Sequence, residues 1–193
     1  MSDLTITNAG VSVTPNSAGS SISTGKRSII RVTPTLLAEE HHVGDVLCTQ
    51  IEIPNAVKEE GGIASLKTMY MVDYGNEDND VDYTVVFTEK GTTAFGTQNV
   101  TAGISDSDIA AQKITSYGKI IGTEATTGTV DQVRIHQMVP PSNSGEALSD
   151  FCFIKADEGS TSVYFHCMLT AVDATTNPTF TANQLEFIFH IEH

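Results

Sequence analysis

The sequence predicts an all-β protein, a single antiparallel β-sandwich of jelly-roll topology, with an extended N-terminal arm and one short connector helix. Hydrophobic residues recur with period two in about eight short segments, and Gly, Thr, Ser and Asn fill the stretches between them. No helices alternate with these segments, which argues against an α/β fold. The chain has 193 residues, 39% of them hydrophobic. We therefore assign residues 26–193 to one sandwich domain with a substantial core and residues 1–25 to the arm.

The arm differs from the rest of the chain in composition. Its stretch NAGVSVTPNSAGSSISTGK is mostly Ser, Thr, Gly, Asn and Ala, too polar to form a core by itself. Residues 1–37, the arm and the segment that follows it, contain Lys26, Arg27 and Arg31 against Asp3, whereas the whole chain has a formal net charge of -14. We expect the arm to be flexible in the isolated protein and to become ordered against an acidic neighbour in an assembly.

The strands are predicted from alternation of apolar and polar residues, which is typical of half-buried antiparallel strands. The residues that share one face of each segment are Ile30 and Val32; Leu47, Thr49, Ile51 and Ile53; Leu66, Thr68, Tyr70 and Val72; Val133, Ile135 and Val139; Val163, Phe165, Cys167, Leu169 and Ala171; and Leu185, Phe187, Phe189 and Ile191. The stretch YTVVF, residues 83–87, is predicted to pair with residues 66–73 as a hairpin.

One helix is predicted, in the stretch SDSDIAAQKI. Ser105 stands three residues before Asp108, which resembles a capping box at a helix start. The stretch is long enough for about two turns, so we interpret it as a connector.

The acidic loop Asp73 to Asp82 overlaps the stretch DNDVDYTVVFTE, Asp78 to Glu89, whose carboxylates have the spacing of an EF-hand. Tyr83 stands where such a loop needs a glycine, and the strand after it carries Glu89 too far away to close the site. We interpret the loop as a solvated hairpin tip and expect the stability to be indifferent to calcium. A cation site of another type and a docking loop for a basic partner are the alternatives.

The charge balance bears on possible partners. Ten Lys and Arg residues are scattered among 24 Asp and Glu residues, which argues against a nucleic-acid-binding surface. Apolar runs of about 18 residues are absent, and the start MSDLTITNAG lacks the pattern of a signal peptide. The sequence therefore predicts no membrane span and synthesis in the cytoplasm.

The three cysteines, Cys48, Cys152 and Cys167, each lie in an apolar strand-like segment and outside any CxxC pair. We interpret them as free buried thiols of a protein made in a reducing compartment. A Cys152–Cys167 bridge is the alternative if those two strands face each other.

Histidines are the best remaining candidates for a site. Glu39, Glu40, His41 and His42 form the run EEHH, but adjacent residues of an extended chain point to opposite faces. A solvated loop is the favoured interpretation, and a shared metal would require an irregular loop.

Three further histidines, His136, His166 and His190, are predicted on the faces of their strands that point away from the core. If the strands were neighbours, these imidazoles would share one outer face and could bind a metal or become charged together near about pH 6. Exposed or intersubunit residues are the favoured interpretation. The final HIEH is interpreted as the end of a strand with a polar face.

Motifs for catalysis are not found. The sequence has no GxSxG, GxxxxGK[ST], GxGxxG after a strand, or HExxH. No paired acid and base stand out, so we predict a protein that is not an enzyme, with no catalytic residue, cofactor or metal. The absence of Trp and the assignment of most Phe to core faces weaken a lectin-like role.

Several segments nevertheless resemble a known group of proteins. They are STGKRSIIRVTPTL, IEIPNAVKEEGGIASLKTMYMVDYG, GTTAFGT, ISDSDIAAQKI, EGSTSVYFHCML and LEFIFHIEH, in this order. Together they are similar to structural proteins of marine tailed bacteriophage virions. The resemblance covers most of the chain and implies a capsid-associated component, such as a decoration or cement protein, present in many copies.

The sequence thus leads to two functional hypotheses. The first is a virion structural protein that stabilises the phage head by contacts with the major capsid protein and with copies of itself, as a homotrimer or another symmetric oligomer. The alternative is a receptor- or glycan-binding module displayed on the particle.

Overall fold

The computed structural model describes most of the chain. The described residues are 6–8, 11–13, 27–75, 81–92, 94–121, 128–130, 133–139, 152–172 and 177–193. Their strands are β1 (Ile6–Asn8), β2 (Val11–Val13), β3 (Arg27–Val32), β4 (Val46–Ile53), β5 (Ile63–Asp73), β6 (Val81–Thr88), β7 (Ile114–Ile120), β8 (Gly128–Val130), β9 (Val133–Val139), β10 (Cys152–Lys155), β11 (Val163–Val172) and β12 (Leu185–Glu192).

The helix α1 (Asp106–Gln112) connects β6 to β7. The Ser105 hydroxyl accepts a hydrogen bond from the backbone N–H of Asp108, and the Asp108 carboxylate accepts one from the backbone N–H of Ser105. This capping box satisfies two backbone donors that a helix start otherwise leaves open. The prediction of an all-β protein with one short connector helix is therefore confirmed. In the described ranges no helix is long and apolar enough to cross a membrane.

The strands that form the body belong to one curled antiparallel sheet. Its order is β3-β12-β5-β9-β7-β6-β11-β4, with β10 added beside β5 and β8 beside β9. Strand β9 makes the corner, because residues 134–137 pair with β5 whereas Met138 and Val139 pair with β7. We call β3, β12, β5 and β9 the first half of the sheet, and β7, β6, β11 and β4 the second half.

The core fills the space between the two halves. The Phe165 ring of β11 lies 5.0 Å from the Phe187 ring and 5.2 Å from the Phe189 ring of β12. Leu185 and Ile191 are buried on the same face of β12. The predicted alternation along β12 is confirmed, and its four apolar side chains stabilise the contact between the halves.

Three of the predicted alternations are wrong over part of their length. In β11, the register with β6 shifts between Leu169 and Ala171, so Ala171 is exposed and does not share the core face of Leu169. In β4, Gln50 has φ 56°, so Cys48 faces the core while Thr49 points outward. In β5, Leu66 and Met69 are both buried, and the register with β12 shifts opposite this point. Each irregularity inserts a residue into the alternation and moves the following side chains to the other face.

The predicted hairpin between residues 66–73 and 83–87 is also wrong. Strand β6 pairs with β7 and β11, whereas β5 pairs with β12, β9 and β10. The segment between Asp73 and Asp82 therefore connects the two halves. Asp73 is buried, and its Oδ1 accepts a hydrogen bond of 2.9 Å from the backbone N–H of Gly75. The predicted solvation and the possible cation site involve residues 76–80, outside the described residues.

The predicted arm contains β1 and β2, which pair with each other and lie in a separate two-stranded sheet. The other residues of 1–26 lie outside the described ranges, so the predicted flexibility of the arm stays a prediction.

Candidate interaction surface

Part of the outer face of the second half is covered by the chain itself. Residues 94–104 lie over it and form a second buried cluster, in which Phe95 packs with Val46, Val86 and Met168. The Gln98 side chain donates a hydrogen bond of 2.8 Å to the Leu47 carbonyl and holds the segment to β4. The covered part of this face is therefore unavailable for contact with another molecule while the segment stays in place, whereas Tyr117, opposite Val86 on β7, is 49% exposed.

His166 lies beneath this covering segment. Its Nδ1 accepts a hydrogen bond from the backbone N–H of Gln50 at 3.3 Å and lies 2.7 Å from the Thr49 hydroxyl. Because a backbone N–H can only donate, Nδ1 carries no proton, and Nε2–H donates to Thr88 Oγ1 at 3.2 Å. The Phe95 ring stacks on the imidazole at 3.9 Å.

This environment favours neutral His166. Burial lowers the pKa of His166 to about 4. The imidazole is fully covered and its nitrogens are hydrogen-bonded, so it fixes the covering segment to the sheet and is not placed to exchange protons with a substrate.

A cluster of charged side chains joins α1 to β10. Glu89 Oε2 lies 3.3 Å from Lys113 Nζ and 3.0 Å from Lys155 Nζ. Asp157 Oδ1 lies 2.9 Å from Lys113 Nζ, and Asp157 Oδ2 lies 3.3 Å from Lys90 Nζ. Hydrogen bonds to Asp157 and Glu89 raise the pKa of Lys113, and the bond from Lys113 lowers the pKa of Asp157. With three ammonium groups shared between two carboxylates, the cluster serves as an ionic link between elements.

The outer face of the first half is open in the described structure. Ile29, Ile63 and Phe153 are 62%, 63% and 58% exposed, respectively. Phe153 lies opposite Ser65, Ser65 lies opposite Glu192, and Glu192 lies opposite Arg27. Opposite residues of antiparallel strands point to the same side. The apolar side chains therefore share one surface, and such a patch is typical of contact sites.

We call this surface the open face. It includes these outward-pointing residues of β3, β12, β5 and β10: Arg27, Ile29, Arg31, Glu186, Ile188, His190, Glu192, Ile63, Ser65, Lys67, Thr68, Tyr70 and Phe153.

Charge on the open face is arranged in columns. Strand β3 contributes two arginines and the neighbouring β12 contributes two glutamates. Arg31 bonds Glu186 at 2.7 Å, and Glu192 lies 3.5 Å from Arg27 and 2.9 Å from Lys67. Apolar and aromatic side chains lie between these two ionic groups.

The centre of the open face contains an aromatic contact and a groove. The Tyr70 and His190 rings meet edge to face at 5.6 Å. Beside them a groove of about 490 Å³ is lined by Arg27, Ile29, Lys67 and His190, among others. The groove begins at the first residue of β3, where residues 1–26 join the body. An apolar centre with a polar rim is the usual anatomy of a protein interface.

The three cysteines are free and buried, as predicted. The alternative Cys152–Cys167 bridge is wrong, because β10 pairs with β5 and the residue opposite Cys167 is Cys48. Burial raises the pKa of the Cys152 and Cys167 thiols, which disfavours the reactive thiolate at neutral pH.

The three strand histidines do not share a face. His136 lies opposite Met71, which is in the core, so His136 points inward and the predicted alternation of β9 is wrong. His166 and His190 point outward as predicted, but from different halves of the sheet. Their distribution over three environments rules out one shared site for these imidazoles.

The EEHH run lies in an irregular loop that is solvated only in part. Glu39, Glu40 and His42 are exposed, whereas His41 is buried and its ring lies 5.8 Å from Phe180. Burial lowers the pKa of His41. The neighbouring imidazoles point apart, and in the part of the chain that the structure describes no group of three or more His, Cys, Asp or Glu could hold a metal ion.

Sequence reasoning missed the open face and the covering segment. Both depend on strand order, which brings β3, β12, β5 and β10 together from distant parts of the chain.

No known protein family, curated protein or solved structure matches the chain.

Proposed function

We propose that the chain is a virion structural protein, a capsid decoration or cement component that stabilises a tailed-phage head by contacts with the major capsid protein and with copies of itself. It would be made in the host cytoplasm and reside in the virion. The observation that carries this proposal is the strand connectivity together with the open face.

The connectivity fits a jelly roll. The eight strands of the order β3-β12-β5-β9-β7-β6-β11-β4, taken along the chain, alternate between the first and the second half, except for β6 and β7, which are neighbours joined through α1. Strands β8 and β10 are additions beside β9 and β5 of the first half. Two nested Greek keys produce this order, and double-sheet jelly rolls are common in viral capsid proteins. This connectivity supports a capsid function by analogy with other double-sheet proteins, and the open face adds an independent reason.

That reason is the unequal treatment of the two outer faces. The chain covers β4, β6 and β11 of the second half with its own segment and leaves Tyr117 of β7 half exposed, whereas the first half presents Ile29, Ile63 and Phe153 to solvent. Large exposed apolar side chains on one face are a liability in a solitary soluble protein and an advantage in an assembly that buries them. A subunit that functions by contact with other virion proteins would bury this apolar face, which accounts for the difference between the two outer faces.

The proposal is tested on particles of the virus that encodes the chain. Quantitative mass spectrometry of purified particles should find the chain in a fixed ratio to the major capsid protein. Particles stripped of the chain should bind the recombinant protein saturably and should then melt at a higher temperature, because a ligand that binds the assembled state stabilises it. Absence of the chain from purified particles would overturn the proposal.

A second candidate function is a receptor- or glycan-binding module displayed on the particle. The groove favours it, because Arg27, Lys67 and His190 combine cationic and aromatic groups that could hold an acidic sugar. Saturable binding of the isolated protein to a glycan array or to host cells, abolished by Lys67→Ala, would support this function over the first.

A further inference from the structure

The geometry points to the open face as a self-association surface, which docks against the open face of a second copy of this chain about a two-fold axis parallel to the strands. The inference deepens the proposed function, since it names the surface and the partner of the self-contact.

Net charge makes most contacts between copies unfavourable. The chain has 24 acidic and ten basic residues, so two copies repel each other over most of their surfaces. The open face is an exception, because it carries Arg27, Arg31 and Lys67 against Glu186 and Glu192. Two open faces can therefore approach each other without a large like-charge penalty.

The charge columns also make the open face complementary to itself. Strands β3 and β12 are direct neighbours, with arginines on the first and glutamates on the second. A two-fold axis that runs along the strands between them lays β3 of one copy over β12 of the other. Arg27 then lies over Glu192 of the second copy, and Ile29 packs over His190. Arg31 lies over Ile188, one diagonal step from Glu186, a step that its side chain already spans within one chain at 2.7 Å. Isologous contacts require such self-complementarity.

The apolar component supplies the remaining driving force. The Ile29 side chain lies between the two arginines on β3 and is 62% exposed. Covering it, together with Ile188 and Tyr70 beside it, removes apolar surface from water at the centre of the contact, where interface residues contribute most.

A charge-swap experiment on the full-length chain tests the inference. Arg31→Glu gives the open face an excess of acid, and Glu186→Arg gives it an excess of base. Arg31→Glu removes one ion pair, and Glu186→Arg removes the same ion pair and a hydrogen bond from the Tyr74 hydroxyl. Neither substitution reaches the core, so both variants should fold. In sedimentation velocity at micromolar to submillimolar concentrations, the unmodified chain should form a dimer, and each variant alone should associate about tenfold more weakly or not at all.

The equimolar mixture of the two variants is the decisive sample. An Arg31→Glu face meets a Glu186→Arg face with opposite charge, so the mixture should recover the dimer. Lys119→Glu reverses an exposed charge on β7, outside the open face, and should leave association unchanged. Thermal melts of every variant confirm folding.

The inference is overturned by a chain that stays monomeric at submillimolar concentration, by association that neither reversal weakens, or by a mixture that fails to recover the dimer. These outcomes are separable from failure of the proposed function. A chain that occupies particles but is monomeric contradicts the inference alone, whereas a dimeric chain that is absent from particles contradicts the proposed function alone.

Discussion

At the scale of single residues, Phe187 should be the most sensitive test of the core. The ring is fully buried and lies 5.0 Å from Phe165 across the two halves of the sheet. Phe187→Ala should lower the free energy of unfolding, measured by urea denaturation, by about 3–5 kcal/mol, because it leaves a cavity. Phe153→Ala, at an exposed ring, is the control and should cost less than about 1 kcal/mol. A loss below about 1 kcal/mol at Phe187 would contradict the inward orientation of β12.

His166 should make stability depend on pH. In the unfolded chain an imidazole takes up a proton as the pH falls through about 6.5, whereas His166 in the folded protein, with a pKa of about 4, stays neutral. The unfolded state then binds more protons, so the stability contributed by His166 is lost as the pH falls below 6.5. From pH 7 to pH 5 the loss from this residue should be about 2 kcal/mol.

His166→Gln provides the comparison for this effect. The glutamine amide can still bond Thr88, and it does not titrate. Urea denaturation at both pH values should show that the substituted protein loses about 2 kcal/mol less than the unmodified protein. Equal losses in the two proteins would contradict the assignment of a buried neutral imidazole.

At the scale of elements, alternation predicted side-chain direction wherever a strand was regular. Strand β12 alternates regularly from Leu185 to Glu192, so the sequence alone predicts which of its side chains point inward. Strands β4 and β5 contain irregularities at Gln50 and after Leu66, which no local signal announces because both residues are ordinary in strands. His136 was misplaced for a related reason, since a single wrong choice of face inverts a whole strand.

The covering segment 94–104 should open as a unit when its anchor is removed. Phe95 is fully buried and stacks on His166. Phe95→Ala should lower amide-exchange protection in residues 94–104 while β12 stays protected. Water then reaches the imidazole, and because burial is what lowers its pKa, the pKa of His166 measured by NMR should rise toward its usual value.

Val100→Ala is the matched control for this prediction, because Val100 lies in the same segment with its side chain exposed. It should change neither the protection pattern nor the titration of His166. Protection lost equally in β12 would mean that Phe95 supports the whole fold and that the segment does not open separately.

At the scale of the whole molecule, the sequence predicted the fold class but not the pairing of strands. Composition and period are local properties, whereas the order β3-β12-β5 joins residues separated by more than half of the chain. The open face exists only as a result of that order, so Ile29, Ile63 and Phe153 could not be recognised as neighbours beforehand. The capping box at Ser105 was predictable because it depends on four consecutive residues.

Deletion of residues 1–25 should separate folding from attachment. The described buried core is contributed by residues between Leu36 and Ile191, and β1 and β2 lie outside the main sheet. The truncated chain should therefore melt within about 4 °C of the intact chain, the shift that roughly 1 kcal/mol produces in a domain of this size. Because the deleted segment joins the body beside the groove of the open face, its loss should lower occupancy on stripped particles.

A chain with residues 1–25 in scrambled order is the control for this deletion. It keeps the length and composition of the segment. If the scrambled chain occupies particles as fully as the intact chain, attachment depends on length and composition alone. If its occupancy stays low, attachment depends on specific contacts of residues 1–25. Particle occupancy is measured by densitometry against the major capsid protein at saturating concentrations of each variant. A truncated chain that occupies particles as fully as the intact chain would show that residues 1–25 have no part in attachment, which would then depend on the body of the protein.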